Sequence, residues 1–381
     1  MREAVIVDAV RTPLGKRNGS LAELHAADLS AEVLTALTRR TGIDPGLVDD
    51  VMWGCVTQIG DQSSNIGRFA VLAAEWPEHV PGVTINRACG SSQQAIDSAA
   101  HAVMAGQYDL VVAGGVETMT RVPLGSHRTT GQPYGPRVLA RYNGFEFNQG
   151  IGAEMIAERW GFGREQIDEF AADSHAKAAA AIDDGVFDDH IVPIEVDGRK
   201  FTVDEGLRRG TSVETLAKLK PSFKSDGVIH AGNSSQISDG AAALLITTPE
   251  RARELGLTPI ARYHSGAVSG ADPIVMLTGP IPATAKALRK AGLSIDDIGA
   301  FEVNEAFAPV PMAWLAETGA DPKRLNPLGG AIAVGHPLGG SGAILMTRLI
   351  ARMRRENLRY GLQTMCEGGG TANATIIELL H

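Results

Sequence analysis

Cys89 lies in the run Asn86-Arg-Ala-Cys-Gly-Ser-Ser-Gln-Gln-Ala-Ile, where a turn of small residues leads into an Ala-rich segment. A thiol there sits at or beside a helix N-terminus, whose unpaired N–H groups and positive dipole end favour a thiolate nucleophile. The competing reading is a buried structural cysteine, the usual fate of a free thiol. His336 stands in Gly335-His-Pro, with further glycines on both sides, a setting for a base or a hydrogen-bond donor, with a satisfied loop histidine as the alternative. Cys366 ends an apolar run just before Glu367-Gly-Gly-Gly, a turn whose bare N–H groups could hold an oxyanion. Asn304 and Glu305 close the strand that begins at Phe301, either as a helix cap or as part of a site. Cys55, in a strand context without a glycine turn, reads as core. The three cysteines are far apart and no Cys-x₂-Cys or His-x₃-His pair occurs, so no metal site is expected. Gly-x-Gly-x-x-Gly is absent too, leaving no dinucleotide fingerprint.

The elements that must carry these residues come in two similar sets. Residues 27–54 read as helix, Gly-Ile-Asp-Pro turn and strand; residues 279–305 read as helix, Gly-Leu-Ser-Ile turn and strand. Residues 86–115 run from a glycine turn through an Ala-rich helix to the strand at Tyr108, closing on Gly114-Gly115. Residues 335–370 run from Gly335-His-Pro through a helix to the strand at Gly361, closing on Gly368-Gly-Gly. The repeated order indicates an internally duplicated α/β unit, with chance similarity of common α/β patterns as the alternative. Between the halves, about 119–240, lies an insertion with a long loop from Arg121 to Asn148 and an amphipathic helix pair from Ala153 to Asp184. Loops of that length usually cover a site or make an oligomer contact.

The 381 residues suffice for two or three packed units. With 35 basic against 44 acidic residues the net charge is −9, which argues against a protein that coats nucleic acid or an anionic membrane but leaves room for an anionic small ligand. No apolar run approaches the ~20 residues of a membrane span, and the start, with Glu3 and Asp8, does not resemble a signal peptide. An odd, low cysteine count indicates a reducing, cytoplasmic setting.

Together the motifs resemble the thiolase family over essentially the whole chain. They are Ala4-Val-Ile-Val-Asp-Ala-Val-Arg-Thr-Pro, the Cys89 motif, Ala113-Gly-Gly-Val-Glu-Thr-Met, Ala231-Gly-Asn-Ser-Ser-Gln-Ile-Ser-Asp-Gly, Asn304-Glu-Ala-Phe-Ala, Gly335-His-Pro and Cys366-x-Gly-Gly-Gly. The resemblance implies an α/β fold of duplicated halves in an αβαβα layering with an inserted loop domain. The implied units are 1–118 plus 241–258, the insertion 119–240, and 259–381. It also implies coenzyme A as co-substrate with no permanently bound cofactor, acyl-CoA substrates, and a homodimer or homotetramer. In that chemistry Cys89 is the nucleophile, His336 activates it, and Cys366 is the second acid and base. Asn304 holds a water for one oxyanion hole with His336, and the N–H groups of Cys89 and Gly368 form the other. Ser235 is placed near the pantetheine, Arg208 near the adenine nucleotide, and Phe307 in the thioester channel.

Some positions depart from the usual pattern: Glu367 for an aliphatic residue, Ala372 for glycine, and Ser92-Gln93-Gln94 after Cys89. Phe147-Asn-Gln-Gly also lacks the His-Met pair of many short-chain synthetic members. The expectation is a degradative enzyme, with a biosynthetic acetoacetyl-CoA thiolase, an acyl-carrier-protein condensing enzyme and a non-catalytic CoA-binding scaffold as rivals.

Overall fold

Strand Leu110–Thr118 shows how the sheet is built: Val112 and Val116 face one apolar cluster, Val111 and Ala113 face another, and the whole strand is buried. Ser238–Thr247 repeats this, with Ala241, Ala243 and Leu245 on the first side and Ala242, Leu244 and Ile246 on the second. Side chains alternate along a strand, so one that is apolar on both faces must be covered on both. The computed structural model describes residues 2–129 and 131–380, which leaves Thr130 of the long loop outside the account.

The sheet has ten strands. In its first half Val83–Ile85 runs parallel to Asp50–Gly54, which runs parallel to Leu110–Thr118. Ser238–Thr247 and then Val5–Arg11 follow, each antiparallel to its neighbour. The second half repeats the scheme: Ala300–Val303 parallel to Tyr360–Glu367, then Thr371–Leu379 and Ala261–Gly270, both antiparallel. Where the first half has Val83–Ile85, the second has a single parallel bridge from Phe301 to Leu325. The halves join where Val5 and Ile6 pair with Arg262 and Ala261. Short Gly15–Lys16 pairs with the start of Ser238–Thr247.

Helices Ser91–Ala105 and Ser341–Glu356 pack on each other and on both halves, forming the central layer. Their Ala95, Ile96, Ala99, Ile344, Leu349 and Ile350 share one core with strands of both halves. Ala26–Thr41 covers the outer face of the first half and Pro280–Ala291 that of the second. Five alternating layers result, and the two central helices begin at the same end of the molecule, at Gly90 and Gly340.

One expectation is corrected. Gly114-Gly115 does not close its strand, which runs on to Thr118. A Cβ on Gly114 would lie 2.5 Å from the Trp53 ring, and one on Gly115 would lie 2.5 Å from the Gly339 carbonyl oxygen. These glycines allow close packing within and onto the sheet rather than a turn. The expected helix pair is Gln149–Trp160 and Arg164–Asp183, and the long loop contains the short helix Pro136–Arg141.

Strand Val5–Arg11 is fastened to the segment around Asp204 by a fully buried ion pair. Arg11 donates to both carboxylate oxygens of Asp204 at 2.7 and 3.0 Å, and the Leu14 N–H adds a third bond at 2.9 Å. Arg11 and Arg348 both stack on the Phe187 ring, 5.0 and 4.6 Å from its centre. Asp204→Ala leaves the Arg11 charge buried without its partner, beside a second guanidinium. A loss of about 3–5 kcal/mol is expected, read as a lowered urea midpoint. An unchanged midpoint would show that the pair carries no such weight.

Candidate active site

Cys89 sits in the turn that opens helix Ser91–Ala105, and the turn is strained: Ala88 has φ 45, the left-handed region that costs an L-residue about 1–2 kcal/mol. Side chains hold it there. Asn86 Oδ1 accepts the Ala88 N–H at 2.9 Å, while Ser91 Oγ accepts the Arg87 N–H at 2.9 Å and donates to the Ala88 carbonyl at 2.5 Å. A Cβ on Gly90 would fall 2.1 Å from Glu367 Oε1 and 2.9 Å from Asn373 Nδ2, so any larger residue would displace the Glu367 carboxylate.

His336 follows Gly335, whose φ of 112 and a Cβ position 2.0 Å from Ser238 Oγ exclude any other residue. Ser341 Oγ donates to the Pro337 carbonyl at 2.8 Å, so towards His336 Nδ1, 2.6 Å away, it accepts. Nδ1 therefore carries the proton and Nε2 keeps its lone pair. Burial holds the imidazole pKa down at about 4, so the ring is neutral at physiological pH. Asn304 Nδ2 lies 3.5 Å from that Nε2 and 3.9 Å from Cys366 Sγ, linking base and second thiol. Asn304 Oδ1 is buried without a protein partner among the described residues, which leaves an acceptor open on the residue that links base and thiol.

Cys366 is buried at the end of Tyr360–Glu367, and burial pushes its thiol up to about 12 despite the hydrogen bond from Asn304. For Cys89 the expectation of a resting thiolate is corrected. Burial raises its pKa well above the ordinary thiol value, with Cys366 and Glu367 adding to the rise. The helix N-terminus acts locally, but desolvation of the charged form outweighs it here. The resting site is thus thiol, thiol and neutral imidazole, and Cys89 loses its proton only as it attacks. Neither the Cys89 N–H nor the Gly368 N–H donates to another residue among those described.

A cavity of about 640 Å³ opens onto Cys89, His336 and Gly368, within the range of ligand sites. Ser235 and Phe307 line it, as do Ser234, Met276, Phe147 and Gln149. Asn304 and Cys366 adjoin it through His336, which lines the cavity and which Asn304 contacts. Arg208 lines no part of this cavity: it is exposed, and its N–H donates to His175 Nδ1 at 3.2 Å.

Two contributors escaped the sequence reading. Ser341, five residues after His336, fixes the tautomer. Glu117 is wholly buried at the end of Leu110–Thr118 and collects four donors: the N–H groups of Val56, Thr57 and Gly339 at 2.9, 2.9 and 2.8 Å, and Gln62 Nε2 at 2.7 Å. It anchors the Gly339 turn that carries the second central helix. Glu305, considered a cap or a site residue, is instead a buried brace that accepts from Ser174, Asn326 and the Ile332 N–H at 2.7, 2.9 and 3.2 Å. Glu367 occupies in the second half the place of Glu117 in the first, yet among the described residues only Thr371 Oγ1 donates to it, at 2.6 Å, with Arg87 4.0 Å away. Burial lifts its pKa to about 7.

Comparison with known proteins agrees with this architecture. Residues 4–250 match the family description "Thiolase, N-terminal domain", and residues 257–379 match "Thiolase, C-terminal domain". The chain is 51% identical to the steroid 3-ketoacyl-CoA thiolase FadA6 of Mycobacterium tuberculosis, over 100% of this chain and 95% of that one. It is 45% identical to the 3-ketoacyl-CoA thiolase FadA of Escherichia coli K12, over 99% and 100%. The crystal structure of the Bacillus anthracis acetyl-CoA acetyltransferase superposes with a TM-score of 0.91 at 39% identity, covering 100% of this chain and 99% of that one. Two family descriptions that between them span both halves, and relatives matched end to end, establish that the chain belongs to the thiolase family.

Proposed function

We propose that the protein is a degradative thiolase that cleaves 3-ketoacyl-CoA with coenzyme A to acetyl-CoA and a shortened acyl-CoA. The observation that carries this is the neutral His336 with a free Nε2, joined through Asn304 to Cys366, at the cavity that Cys89 lines. The similarity to two proteins named 3-ketoacyl-CoA thiolases supports the direction and substrate class.

Cys89 sulfur attacks the 3-keto carbon as its proton passes to His336 Nε2, and the N–H groups of Cys89 and Gly368 receive the new oxyanion. The bond between C2 and C3 then breaks, and its electron pair goes to C2. The Cys366 thiol protonates that carbon, giving acetyl-CoA. His336, now carrying a proton on Nε2, donates to the enolate oxygen together with a water held by Asn304 Oδ1. In the second half-reaction the Cys366 thiolate takes the proton of an incoming coenzyme A thiol. The coenzyme A sulfur displaces Cys89 from the acyl group, and His336 returns the proton to Cys89. A thioester intermediate lies close in energy to a thioester substrate, so both halves stay reversible.

Ser235 and Phe307 line the pantetheine channel, and Arg208, outside the cavity, meets the adenine nucleotide. Coenzyme A enters as co-substrate and no cofactor is permanently bound. The working form is a homodimer or homotetramer in the cytoplasm. Phe69, Leu72 and Val83, each exposed beside the edge strand Val83–Ile85, offer the apolar surface that a second copy would cover. Among the described residues no helix is long and apolar enough to cross a membrane.

The structural likeness to an acetyl-CoA acetyltransferase favours one second reading, a synthetic acetoacetyl-CoA thiolase. Thiolysis of 3-ketoacyl-CoA substrates of graded length separates the two. Cleavage is expected to extend well beyond acetoacetyl-CoA. Activity confined to acetoacetyl-CoA would select the synthetic reading, and coenzyme A binding without any cleavage would select a scaffold.

A further inference from the structure

The segment from Arg121 to Asn148 holds Arg121, Arg128, Arg137 and Arg141 against a single acidic residue, Glu146, in a chain of net charge −9. Arg121 pairs with Asp61. The guanidinium groups of the other three make no ion pair or hydrogen bond among the described residues; those of Arg128 and Arg141 stack on Tyr134 and Tyr142, 5.8 and 5.4 Å from the ring centres. Some surface arginines elsewhere do find carboxylates, as Arg40 finds Asp8, Arg209 finds Asp183 and Arg355 finds Asp184, whereas these three, close together in one segment, do not. Glu146, the one local acid, is engaged by Gln132 Nε2 at 3.1 Å. A cluster of unpaired guanidinium groups therefore stands in one place on an otherwise acidic protein.

That place adjoins the reaction site. Arg137 and Arg141 are one helical turn apart on Pro136–Arg141, and with Tyr142, Phe147, Gly369 and Gly370 they line a groove of about 500 Å³. Phe147 and Gly369 also line the catalytic cavity, with Arg128 on its wall. The groove thus continues the cavity past the glycine turn that follows Cys366. Aromatic side chains packed edge to face, Tyr134 and Tyr142 on Phe147, floor the passage between them.

We propose that this groove binds a carboxylate at the far end of the acyl group, so that the favoured substrates are 3-ketoacyl-CoA thioesters of dicarboxylic acids. The inference rests on reading the cavity as a 3-ketoacyl-CoA site. A planar guanidinium fork fits a carboxylate through two parallel N–H···O bonds, and arginines one turn apart can present two such forks. The aromatic walls suit the methylene or ring carbons that would separate the two ends of such a substrate. Phosphates of coenzyme A are the other anions at hand, but the pantetheine is assigned to Ser235 and Phe307, whereas the groove lies beyond the turn at Gly369.

The test compares, on the full-length protein, a plain 3-ketoacyl-CoA with its ω-carboxylated counterpart of equal length, in the native enzyme and in Arg137→Gln/Arg141→Gln. The native enzyme is expected to favour the carboxylated substrate by about tenfold in kcat/KM, mostly through KM, and less so as salt is added. In the double variant that ratio is expected to fall to within about twofold of unity. Equal kcat/KM for the two substrates in the native enzyme would overturn the proposal. So would a double variant that loses the same factor on both, which would mark the arginines as phosphate ligands, or as a subunit contact if sedimentation also changed. Cleavage of neither substrate would overturn the reading of the cavity itself, and the proposal with it.

Discussion

Replacing Cys89 with alanine is expected to remove the acyl-enzyme and lower kcat/KM for thiolysis by about 10⁴-fold or more. The proposed reaction forms and breaks a bond to this sulfur in each half, and no neighbouring group can replace it. Cys366 is a thiol too, but its sulfur is engaged by Asn304 and its proposed task is proton transfer at C2, not attack at the 3-keto carbon. The fold should tolerate the change: Cys89 packs against Met119, Leu338, Leu345 and Met365, and alanine removes a single sulfur from that cluster. The check is mass spectrometry after mixing with an acyl-CoA in the absence of free coenzyme A. The native enzyme should gain one acyl group on the peptide containing Cys89, and the variant none. An acyl group retained on the variant would refute the assignment of the nucleophile.

The Cys89 turn was legible because its determinants are local. A run of small residues before an Ala-rich stretch encodes a helix start, and that is where Gly90 and Ser91–Ala105 lie. His336 between glycines was legible for the same reason, since the backbone path at Gly335 admits nothing larger. The duplication could be read because both halves keep the same order of elements, and the pairing senses of the two half-sheets repeat.

What could not be read depends on contacts between the halves. The charge on Cys89 was misjudged because dipole and turn are local, whereas the burial and the neighbouring Cys366 and Glu367 arrive from the far end of the chain. Gly114-Gly115 looked like a strand end because the surfaces that press on it, the Trp53 ring and the Gly339 carbonyl, are distant in sequence. Glu117 and Glu367 stand at equivalent places, yet one is saturated by donors and the other is left with an unpaired oxygen. Nothing near either residue in the sequence announces that difference. It follows from which half supplies the turn each one faces: Gly339 offers an N–H to Glu117, while Glu367 meets the Cα side of Gly90.

Cys366→Ala should separate the two kinds of bond cleavage that the mechanism requires. Breaking the C2–C3 bond expels a carbanion, a very poor leaving group unless an acid protonates it as it departs, and Cys366 is the group proposed to do so. Its high pKa suits the task, because a buried thiol pushed up to about 12 keeps its proton until a strong base forms beside it. Thiolysis by the variant is therefore expected to fall by about 10³-fold, within the range of a lost general acid. Transfer of the acyl group of a plain acyl-CoA onto Cys89 expels only a thiolate, which leaves readily without help. That exchange, followed with labelled coenzyme A, loses Cys366 only as the base for the coenzyme A thiol, which ionises readily on its own, and should fall by no more than about tenfold, since His336 and its bond to Ser341 are untouched. The inequality between the two losses is what identifies an acid acting on carbon. If exchange and cleavage fell by the same factor, Cys366 would be doing no more than shaping the site, and the proton at C2 would have to come from elsewhere.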